Sequence, residues 1–262
     1  YYTGAQKFPS SEAIALSERP GKQRSLLLIY WKPSKSLTWR QVADGGADST
    51  IATVAANIKK YPHKFFLNIY HEPEDNVRPD PSSGMTPEDY ADMYRHVVTK
   101  LRGHGVTNAV YVWNVMGYSG WEKYLDGLYP GDAYVDWLAY DPYAKDNRFP
   151  TVASVINRSR SDIGWPGYYE WVTAKVPDKP IMLAEWGVDL KSNSDPASVL
   201  RGDMASQLAP YPRVKALVYW NEHGVGNYRI DETTSKGLAL GAAYRDLAAQ
   251  PIFNTIDPTS AP

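Results

Sequence analysis

The sequence contains no cysteine, which excludes disulfide bonds, thiolate metal sites and a cysteine nucleophile. Long apolar runs are also absent: the longest is Leu26-Leu27-Leu28-Ile29, whereas a membrane-spanning helix needs about 20 apolar residues. Neither charge sign is in excess, because 28 basic and 29 acidic residues give a net charge of -1. This balance argues against the clustered Lys and Arg that nucleic-acid binding requires. We therefore expect no membrane span and no nucleic-acid partner.

The aromatic residues are unevenly distributed among the three types. The chain has 20 Tyr and 9 Trp but only 5 Phe. Tyr and Trp rings combine an apolar face with a polar edge. Sugars present the same combination, so this composition favours a carbohydrate ligand. A tyrosine-rich core is the alternative explanation.

Short apolar runs recur along the whole chain, and each has the length of a β-strand. They are nearly continuous in apolar character, which is typical of strands buried on both faces of a parallel sheet. The predicted strands are Ser25–Trp31, Lys64–Tyr70, Ala109–Asn114, Tyr134–Tyr140, Pro180–Trp186 and Val214–Trp220.

Helical patterns lie between these runs. One follows the start signal Asp48-Ser49, with Ile51, Val54, Ala55 and Ile58 at helical spacing. A second begins with Thr86 as N-cap and Pro87 in its first turn, and it ends at Gly103. Its predicted apolar face is Tyr90, Met93, Tyr94, Val97, Val98 and Leu101. Further helices are predicted at Tyr168–Lys175, Pro196–Leu208 and Ser235–Ala248.

Strand–helix alternation without a break in composition predicts one α/β domain over residues 1–250, followed by a tail or linker start at residues 251–262. No Gly-rich dinucleotide fingerprint and no P-loop occurs, so nucleotide-binding folds lose support. A (β/α)8 TIM barrel fits better. Six predicted strands are fewer than the eight that a barrel needs, so we expect the first strand to be missing from this chain or to lie upstream.

Catalytic groups of a barrel stand at the carboxyl ends of its strands. Nearly every predicted strand end here carries a Trp or Tyr, and three of them carry a Glu. Aromatic platforms that surround carboxylates are the arrangement that a glycosidase needs. The strand-end residues are Trp31, His71, Glu72, Trp113, Asn114, Tyr140, Asp141, Tyr143, Glu185, Trp186 and Trp220.

Glycoside hydrolysis requires two carboxyl groups, which lie about 5–5.5 Å apart in retaining enzymes. Glu72 and Glu185 are the best pair, because each belongs to or directly follows a buried-strand pattern. Glu222 is a competitor, two residues beyond the last strand. We expect Glu74 to face solvent, because Pro73 turns the chain between it and Glu72.

Other chemistries have little support in this sequence. We expect His63, His96 and His104 to be solvated, since they fall on helical or loop segments. No metal-binding histidine pattern and no EF-hand occurs, so we expect no metal and no cofactor. A calcium ion bound by Glu74-Asp75-Asn76 is an alternative, but we expect this stretch to be a solvated loop. No G-x-S-x-G motif is present, which argues against a serine hydrolase.

These strand ends resemble those of glycoside hydrolase family 26. Asn68–Pro73 is similar to the family's acid/base strand, the fourth, which ends in a His-Glu pair. Lys179–Gly187 is similar to its nucleophile strand, the seventh. Leu28–Pro33 resembles the third strand, and Tyr129–Trp137 with Tyr140–Tyr143 resembles the region of the sixth. The order then implies that Tyr1-Tyr2-Thr3 ends the second strand.

The resemblance implies a role for each matched residue. Glu72 would be the acid/base and Glu185 the nucleophile of a retaining mechanism. His71 would hydrogen-bond within the carboxylate pair, Tyr143 would support the nucleophile, and Trp220 would stack under the sugar. The remaining candidate substrate-binding residues are Trp31, Trp113, Asn114, Tyr140, Asp141 and Trp186.

The chain departs from the family's mannanases after the His-Glu pair. Those enzymes usually continue with Met-Asn-Gly, whereas this chain continues with Pro73-Glu74-Asp75-Asn76. An Arg that often precedes the His is replaced by Asn68-Ile69-Tyr70. The resemblance makes a β-mannan-like polysaccharide the first expectation for the substrate. Because the departures fall at positions that shape the sugar subsites, xylan, mixed-linkage glucan and bacterial exopolysaccharide remain alternatives.

The resulting hypothesis is a retaining endo-type glycoside hydrolase that cleaves a β-linked polysaccharide, with an endo-β-1,4-mannanase as its most specific form. The alternative from another class is a catalytically silent carbohydrate-binding protein, which the presence of both Glu72 and Glu185 disfavours. We expect a monomer. We also expect a secreted protein whose signal peptide is not in this chain.

Overall fold

The computed structural model describes residues 8–18, 27–176 and 178–254. The predicted strand end Tyr1-Tyr2-Thr3 lies outside these residues. The described strands are β1 (Leu28–Trp31), β2 (Phe65–Ile69), β3 (Ala109–Val115), β4 (Trp137–Tyr140), β5 (Tyr143–Ala144), β6 (Ile181–Val188) and β7 (Val214–Tyr219). The described helices are α1 (Ser11–Ser17), α2 (Trp39–Ala43), α3 (Asp48–Ile58), α4 (Pro87–Gly103), α5 (Glu122–Leu128), α6 (Val152–Ile156), α7 (Tyr168–Lys175), α8 (Met204–Leu208), α9 (Ser235–Ala248) and α10 (Pro251–Asn254).

The strand–helix alternation predicted from the sequence is confirmed. All six predicted strands are present, although each differs by a few residues at one or both ends. The helices predicted at Tyr168–Lys175 and Ser235–Ala248 have the predicted bounds. The single helix predicted over Pro196–Leu208 is wrong: a 3₁₀ turn at Pro196–Leu200 precedes α8. The physical reason is Asp203, whose side chain accepts a hydrogen bond from the Ser206 N–H and starts a new helix.

The chain divides into two compact units. The first consists of Tyr1–Met116 with Gly120–Ala139, and the second of Gly117–Ser119 with Tyr140–Pro262. The single domain predicted for residues 1–250 stays a prediction, and each unit is described by itself. Among the described residues, no helix has both the length and the apolar character needed to span a membrane.

In the first unit, β1, β2 and β3 lie side by side in chain order and run parallel, and β4 lies next to β3. The register places Trp31 opposite Ile69 and Asn68 opposite Val112. Because the strands are parallel, the segments that follow β1 and β2 emerge at the same edge of the sheet. This edge carries the unit's candidate site residues.

Helix α4 packs in the first unit along its predicted apolar face. Thr86 and Asp89 form a reciprocal capping box at its start, and Pro87 occupies its first turn. All six predicted apolar positions are buried, which confirms the face. An ion pair of 2.7 Å between Arg40 and Asp89 ties α4 to α2.

In the second unit, β6 lies between β5 and β7 and runs parallel to both. All eight residues of β6 are buried. Among the described strands of this unit, β7 has β6 as its one neighbour, and its residues are half-buried or exposed. Val218 of β7 is 38% exposed, although it is an apolar residue in a strand.

Candidate active site

The backbone after β2 turns through an unusual conformation. Tyr70 and Glu72 have φ angles of 58° and 48°, in the left-handed region that residues other than glycine seldom adopt. Each such residue costs on the order of 1–3 kcal/mol and persists only where its surroundings enforce it. These outliers concentrate at active sites, so the geometry marks this strand end as functionally constrained.

Contacts on several sides fix the Tyr70 side chain and backbone. Its N–H donates to the Trp31 carbonyl at 2.8 Å, and its hydroxyl donates to Asn76 Oδ1 at 3.0 Å. Its ring meets the Trp39 ring edge-on at 5.3 Å, and the Lys32 ammonium lies 4.5 Å from its ring centre. Burial raises the pKa of the Tyr70 phenol, so it remains a neutral donor.

His71 and Glu72 are adjacent in the chain and in contact. His71 Nε2 lies 3.8 Å from Glu72 Oε2, and the His71 ring meets the Tyr30 ring edge-on at 4.9 Å. The Glu72 side chain is 27% exposed. A proton donor to a bound ligand needs this partial exposure. The acid/base role of Glu72 stays a prediction.

Two buried amides lie at the ends of neighbouring strands in the first unit. Asn68 Nδ2 donates to Asn114 Oδ1 at 2.6 Å. Trp113 is fully buried and packs against Tyr129 at 5.0 Å. Trp31, at the end of β1, is also buried. Substrate contact by Trp31, Trp113 and Asn114 stays a prediction, and all three side chains are buried.

The expectation that Glu74 faces solvent is wrong. Glu74 is 0% exposed and opens a 3₁₀ turn, Glu74–Asn76, directly after Pro73. The turn directs its side chain inward rather than outward. Burial and then the nearby Glu74 carboxylate raise the pKa of the Tyr90 phenol, which places Glu74 beside that ring. Glu74-Asp75-Asn76 is thus not an exposed loop throughout.

The expectation that His63 and His96 are solvated is also wrong. His96 Nε2 lies 2.7 Å from Asp48 Oδ1, and its side chain is 19% exposed. His63 Nε2 lies 3.1 Å from Glu18 Oε1. Each ring finds an acidic partner far away in the sequence, which helical position alone does not reveal. His104 is exposed as expected.

In the second unit, Glu185 lies within β6 and is only 6% exposed. The Tyr143 hydroxyl donates to Glu185 Oε2 at 2.6 Å, and the Glu185 backbone N–H donates to Asp141 Oδ1 at 2.9 Å. A carboxylate that accepts a short hydrogen bond from a phenol is favoured in its charged form. The structure therefore brings together three of the predicted site residues, Asp141, Tyr143 and Glu185.

Tyr143 is itself held by residues that sequence reasoning missed. Its ring packs on Tyr228 at 4.5 Å between ring centres. Its carbonyl accepts a hydrogen bond from the Arg158 guanidinium, which lies against the rings of Tyr118 at 4.7 Å and Phe149 at 4.2 Å. Burial lowers the pKa of Arg158. No local motif marks Arg158 or Tyr228, because both reach Tyr143 through long-range contacts.

Asp189, one residue beyond β6, organises the loops around the end of that strand. Its carboxylate accepts hydrogen bonds from the backbone N–H groups of Asn227 at 2.8 Å, Lys191 at 3.2 Å and Ser192 at 3.1 Å. Burial raises the pKa of Asp189, but the hydrogen bonds from the Ser192 hydroxyl and from these N–H groups outweigh it, and the pKa is lowered.

This lowered pKa predicts a pH-dependent stability. Because the folded pKa lies below the unfolded one, the contribution of Asp189 is present above the ordinary Asp pKa of about 3.9 and is lost as pH falls through the folded value. We expect Asp189→Asn to lower the free energy of unfolding by about 1 kcal/mol at pH 7, and by less at pH 3. Thermal denaturation followed by circular dichroism at both pH values measures the difference.

Asp178→Asn, at an exposed position, is the matched control. A gap between Asp189→Asn and wild type that is equal at both pH values would contradict the assignment.

The other predicted aromatic residues of this unit differ in exposure. Tyr140 is buried, and its hydroxyl donates to the Ile156 carbonyl at 2.7 Å. Trp186 is buried and meets the Tyr219 ring edge-on at 5.1 Å. Trp220 is half-buried at the end of β7, as an aromatic platform requires. Glu222, the competing carboxyl, is exposed. The roles of these residues stay predictions.

Part of the chain resembles a known enzyme family, and most of it resembles a curated protein. Residues 48–157 match the family model of glycosyl hydrolase family 26. The chain is 28% identical over 249 residues to Endoglucanase H of Acetivibrio thermocellus, covering 91% of this chain and 27% of that protein. It thus spans about a quarter of the length of that curated relative.

Solved structures with similar folds include family 26 enzymes. The GH26 domain of an endo-β-mannanase/endo-β-glucanase from Prevotella bryantii aligns with a TM-score of 0.58 and 15% identity, covering 93% of this chain and 73% of that one. A modular endo-β-1,4-mannanase from Cellulomonas fimi aligns with a TM-score of 0.58 and 18% identity, covering 90% of this chain and 56% of that one. At these identities the likeness shows the fold.

The class of protein follows from these observations. Parallel strands that alternate with helices, and the likeness to family 26 structures, confirm the (β/α)8 fold class, with part of the barrel absent from the described strands. The family-model match over residues 48–157 shows that this part of the chain is similar to glycoside hydrolase family 26, and the curated relative and the structural neighbours agree with that likeness. The family resemblance predicted from the sequence is confirmed.

Proposed function

We propose that the chain is a retaining endo-type glycoside hydrolase that cleaves a β-linked polysaccharide, with Glu185 as nucleophile and Glu72 as acid/base. The observation that carries the proposal is the Glu185 carboxylate, which is buried in β6 and accepts a 2.6 Å hydrogen bond from the Tyr143 hydroxyl. A solvated structural carboxylate has no need of a dedicated phenol donor. A nucleophile must be both charged and fixed in direction, and this contact favours both.

The proposed reaction has two displacements. Glu185 attacks the anomeric carbon while Glu72 donates a proton to the leaving glycosidic oxygen, and a covalent glycosyl-enzyme forms. Glu72, now a carboxylate, then takes a proton from water, and the resulting attack releases the sugar with its original anomeric configuration. Tyr143 and Asp141 orient Glu185 by their hydrogen bonds to its side chain and to its backbone. His71, beside Glu72, would help to set the charge of that carboxyl group.

For the substrate we propose a β-mannan-like polysaccharide first. The names of the two solved neighbours, which include endo-β-mannanase and endo-β-1,4-mannanase, support it. A β-glucan is the second candidate, because the curated relative is named an endoglucanase. We further propose that the protein is secreted, since a polysaccharide of this kind lies outside the cell, and that it acts as a monomer.

The experiment that tests the proposed function is a reducing-sugar assay on mannan, galactomannan, xylan, mixed-linkage glucan and bacterial exopolysaccharide, followed by ¹H NMR of the first products. We expect release of reducing ends from one of these glycans, with the β-anomer appearing first. Initial appearance of the α-anomer would contradict the retaining mechanism. Binding without hydrolysis would identify a catalytically silent carbohydrate-binding protein instead.

Tyr143→Phe removes the phenol donor but keeps the ring on Tyr228, so the fold should be unchanged. We expect kcat to fall about 10- to 100-fold, because a hydrogen bond to a charged group is lost. The acidic limb of the pH–rate profile should move to higher pH, since that bond favours the charged carboxylate. Steady-state kinetics on the best glycan measures both effects. Tyr124→Phe, which alters a helix surface in α5, is the control. An unchanged kcat would remove Tyr143 from the proposed site.

A further inference from the structure

A concave feature lies in the first unit, in the loops that follow β1 and β2. The segment that follows β1 and the segment that follows β2 enclose a cleft of about 460 Å³. Its walls include Lys32, Lys35, Tyr70, Asn76 and Arg78, and we call it the basic cleft. Tyr70 and Arg78 belong to the same loop as Glu72.

The charged side chains that line the basic cleft are all positive. Lys32, Lys35 and Arg78 are exposed, and none of the three forms an ion pair of 4.0 Å or less within the described part of the chain. No acidic residue is among those that line the cleft. The nearby Asp75 carboxylate accepts a hydrogen bond from Asn76, and that of Asp80 accepts one from the Ser82 N–H at 2.9 Å.

Several basic groups elsewhere in the first unit pair with carboxylates, unlike those of the cleft. Arg40 pairs with Asp89 at 2.7 Å, and Lys100 pairs with Asp48 at 2.6 Å. The chain as a whole has a net charge of -1, so the three cations are not part of a generally basic surface. Like charges placed together repel one another, and a bound anion relieves that repulsion.

Aromatic and polar side chains also line the cleft. The Tyr70 ring is 9% exposed, and the Lys32 ammonium stands 4.5 Å from its centre. The Asn76 amide and the Ser34 and Ser36 hydroxyls add hydrogen-bonding groups in the same walls. Aromatic, amide and cationic groups thus converge in one cleft.

We propose that the basic cleft binds a carboxylate-bearing sugar, so that the substrate is an acidic β-glycan containing uronic acid residues. This inference rests on the proposed function, because it assigns a unit of the same polysaccharide to a position beside Glu72. Lys32, Lys35 and Arg78 recognise the carboxylate through charge-assisted hydrogen bonds.

Isothermal titration calorimetry with matched oligosaccharides tests the proposal. The probes are β-1,4-linked mannuronate and mannose hexasaccharides, and the corresponding glucuronate and glucose pair, which differ only in whether carbon 6 is a carboxylate. The protein carries Glu185→Ala to prevent turnover. We expect a uronate probe to bind at least about tenfold more tightly than its neutral parent at low salt, with the advantage shrinking as salt is added.

The double variant Lys32→Gln with Arg78→Gln should abolish that preference and leave the affinity for the neutral parent unchanged. Lys60→Gln, an exposed lysine at the end of α3, is the matched charge control and should keep the preference. Equal affinities for the charged and neutral probes in the parent protein would overturn the proposal. A preference that survives in the double variant would overturn it as well, because the anion would then bind elsewhere. A sulfated neutral hexasaccharide that binds as tightly as the uronate would overturn the carboxylate assignment.

The two proposals fail in different ways. Hydrolysis of a neutral glycan by the wild-type protein, without any preference for uronate, overturns the basic cleft and leaves the proposed function standing. Uronate binding that depends on Lys32 and Arg78, with no hydrolysis of neutral or acidic glycans, supports the cleft and contradicts the proposed function.

Discussion

Replacing Glu185 with alanine is expected to lower kcat by on the order of 10⁴-fold or more, because no other group can form the covalent glycosyl intermediate. The Glu185 side chain is nearly buried, and its direct partner is the Tyr143 hydroxyl. The variant leaves a space into which a small external nucleophile fits. Azide should therefore restore part of the activity and yield a glycosyl azide of inverted configuration. Reducing-sugar release measures the loss of kcat. NMR of the azide product measures the rescue, because a glycosyl azide carries no new reducing end.

Glu222→Ala is the matched control, because it removes an exposed carboxyl from the same unit. We expect this variant to retain wild-type kcat within about twofold, as is usual for a surface substitution. Substantial activity in Glu185→Ala, combined with its loss in Glu222→Ala, would transfer the nucleophile assignment to Glu222. Circular dichroism spectra of both variants establish that the fold is intact.

Replacing Glu72 with alanine is expected to affect substrates unequally. Cleavage of a natural glycan should slow by about 10²–10⁴-fold, because the leaving oxygen then departs without a proton. A dinitrophenyl glycoside needs no such proton, so its first displacement should proceed at close to the wild-type rate. Stopped-flow measurement of dinitrophenolate release gives the rate of that step directly. An initial burst followed by slow turnover is the expected trace, because the second displacement still lacks its base.

An equal loss on both substrates would contradict the acid/base role of Glu72. Glu88→Ala is the control on the same unit, since it removes an exposed carboxylate from the first turn of α4. Glu74 is unsuitable as a control because its carboxyl is buried. Its removal would leave a cavity and lower the stability, which would obscure any effect on the reaction.

The elements that were predictable from the sequence are those that local chemistry determines. The start of α4 follows from Thr86 and Pro87, and its buried face follows from the spacing of its apolar residues. The continuous apolar character of β6 reflects burial on both faces, and all its residues are buried. The positions of Glu72 and Glu185 at or near strand ends follow from the same patterns. Their catalytic roles still depend on experiment.

The features that were not predictable arise from contacts between distant segments. Pro73 was expected to turn Glu74 outward, but a 3₁₀ turn buries its side chain. His96 meets Asp48 across 48 positions of sequence. Arg158 reaches the carbonyl of Tyr143 from a separate loop. Such pairings depend on how elements pack, and no spacing rule within one element encodes them. One signal was available: Asn68 is a polar residue inside a buried apolar strand, and its amide pairs with Asn114.

The exposed side chain of Val218 has a practical consequence for handling the protein. Exposed apolar side chains can associate with apolar surfaces of other molecules. Within β7, Lys215 is the one charged residue that opposes such association, while Val218 offers an apolar contact. The tendency of a purified sample to aggregate should therefore rise with protein concentration, and dilute solutions should remain clear for longer. A lysine in place of Val218 would add a second charge along the strand and extend the usable concentration range.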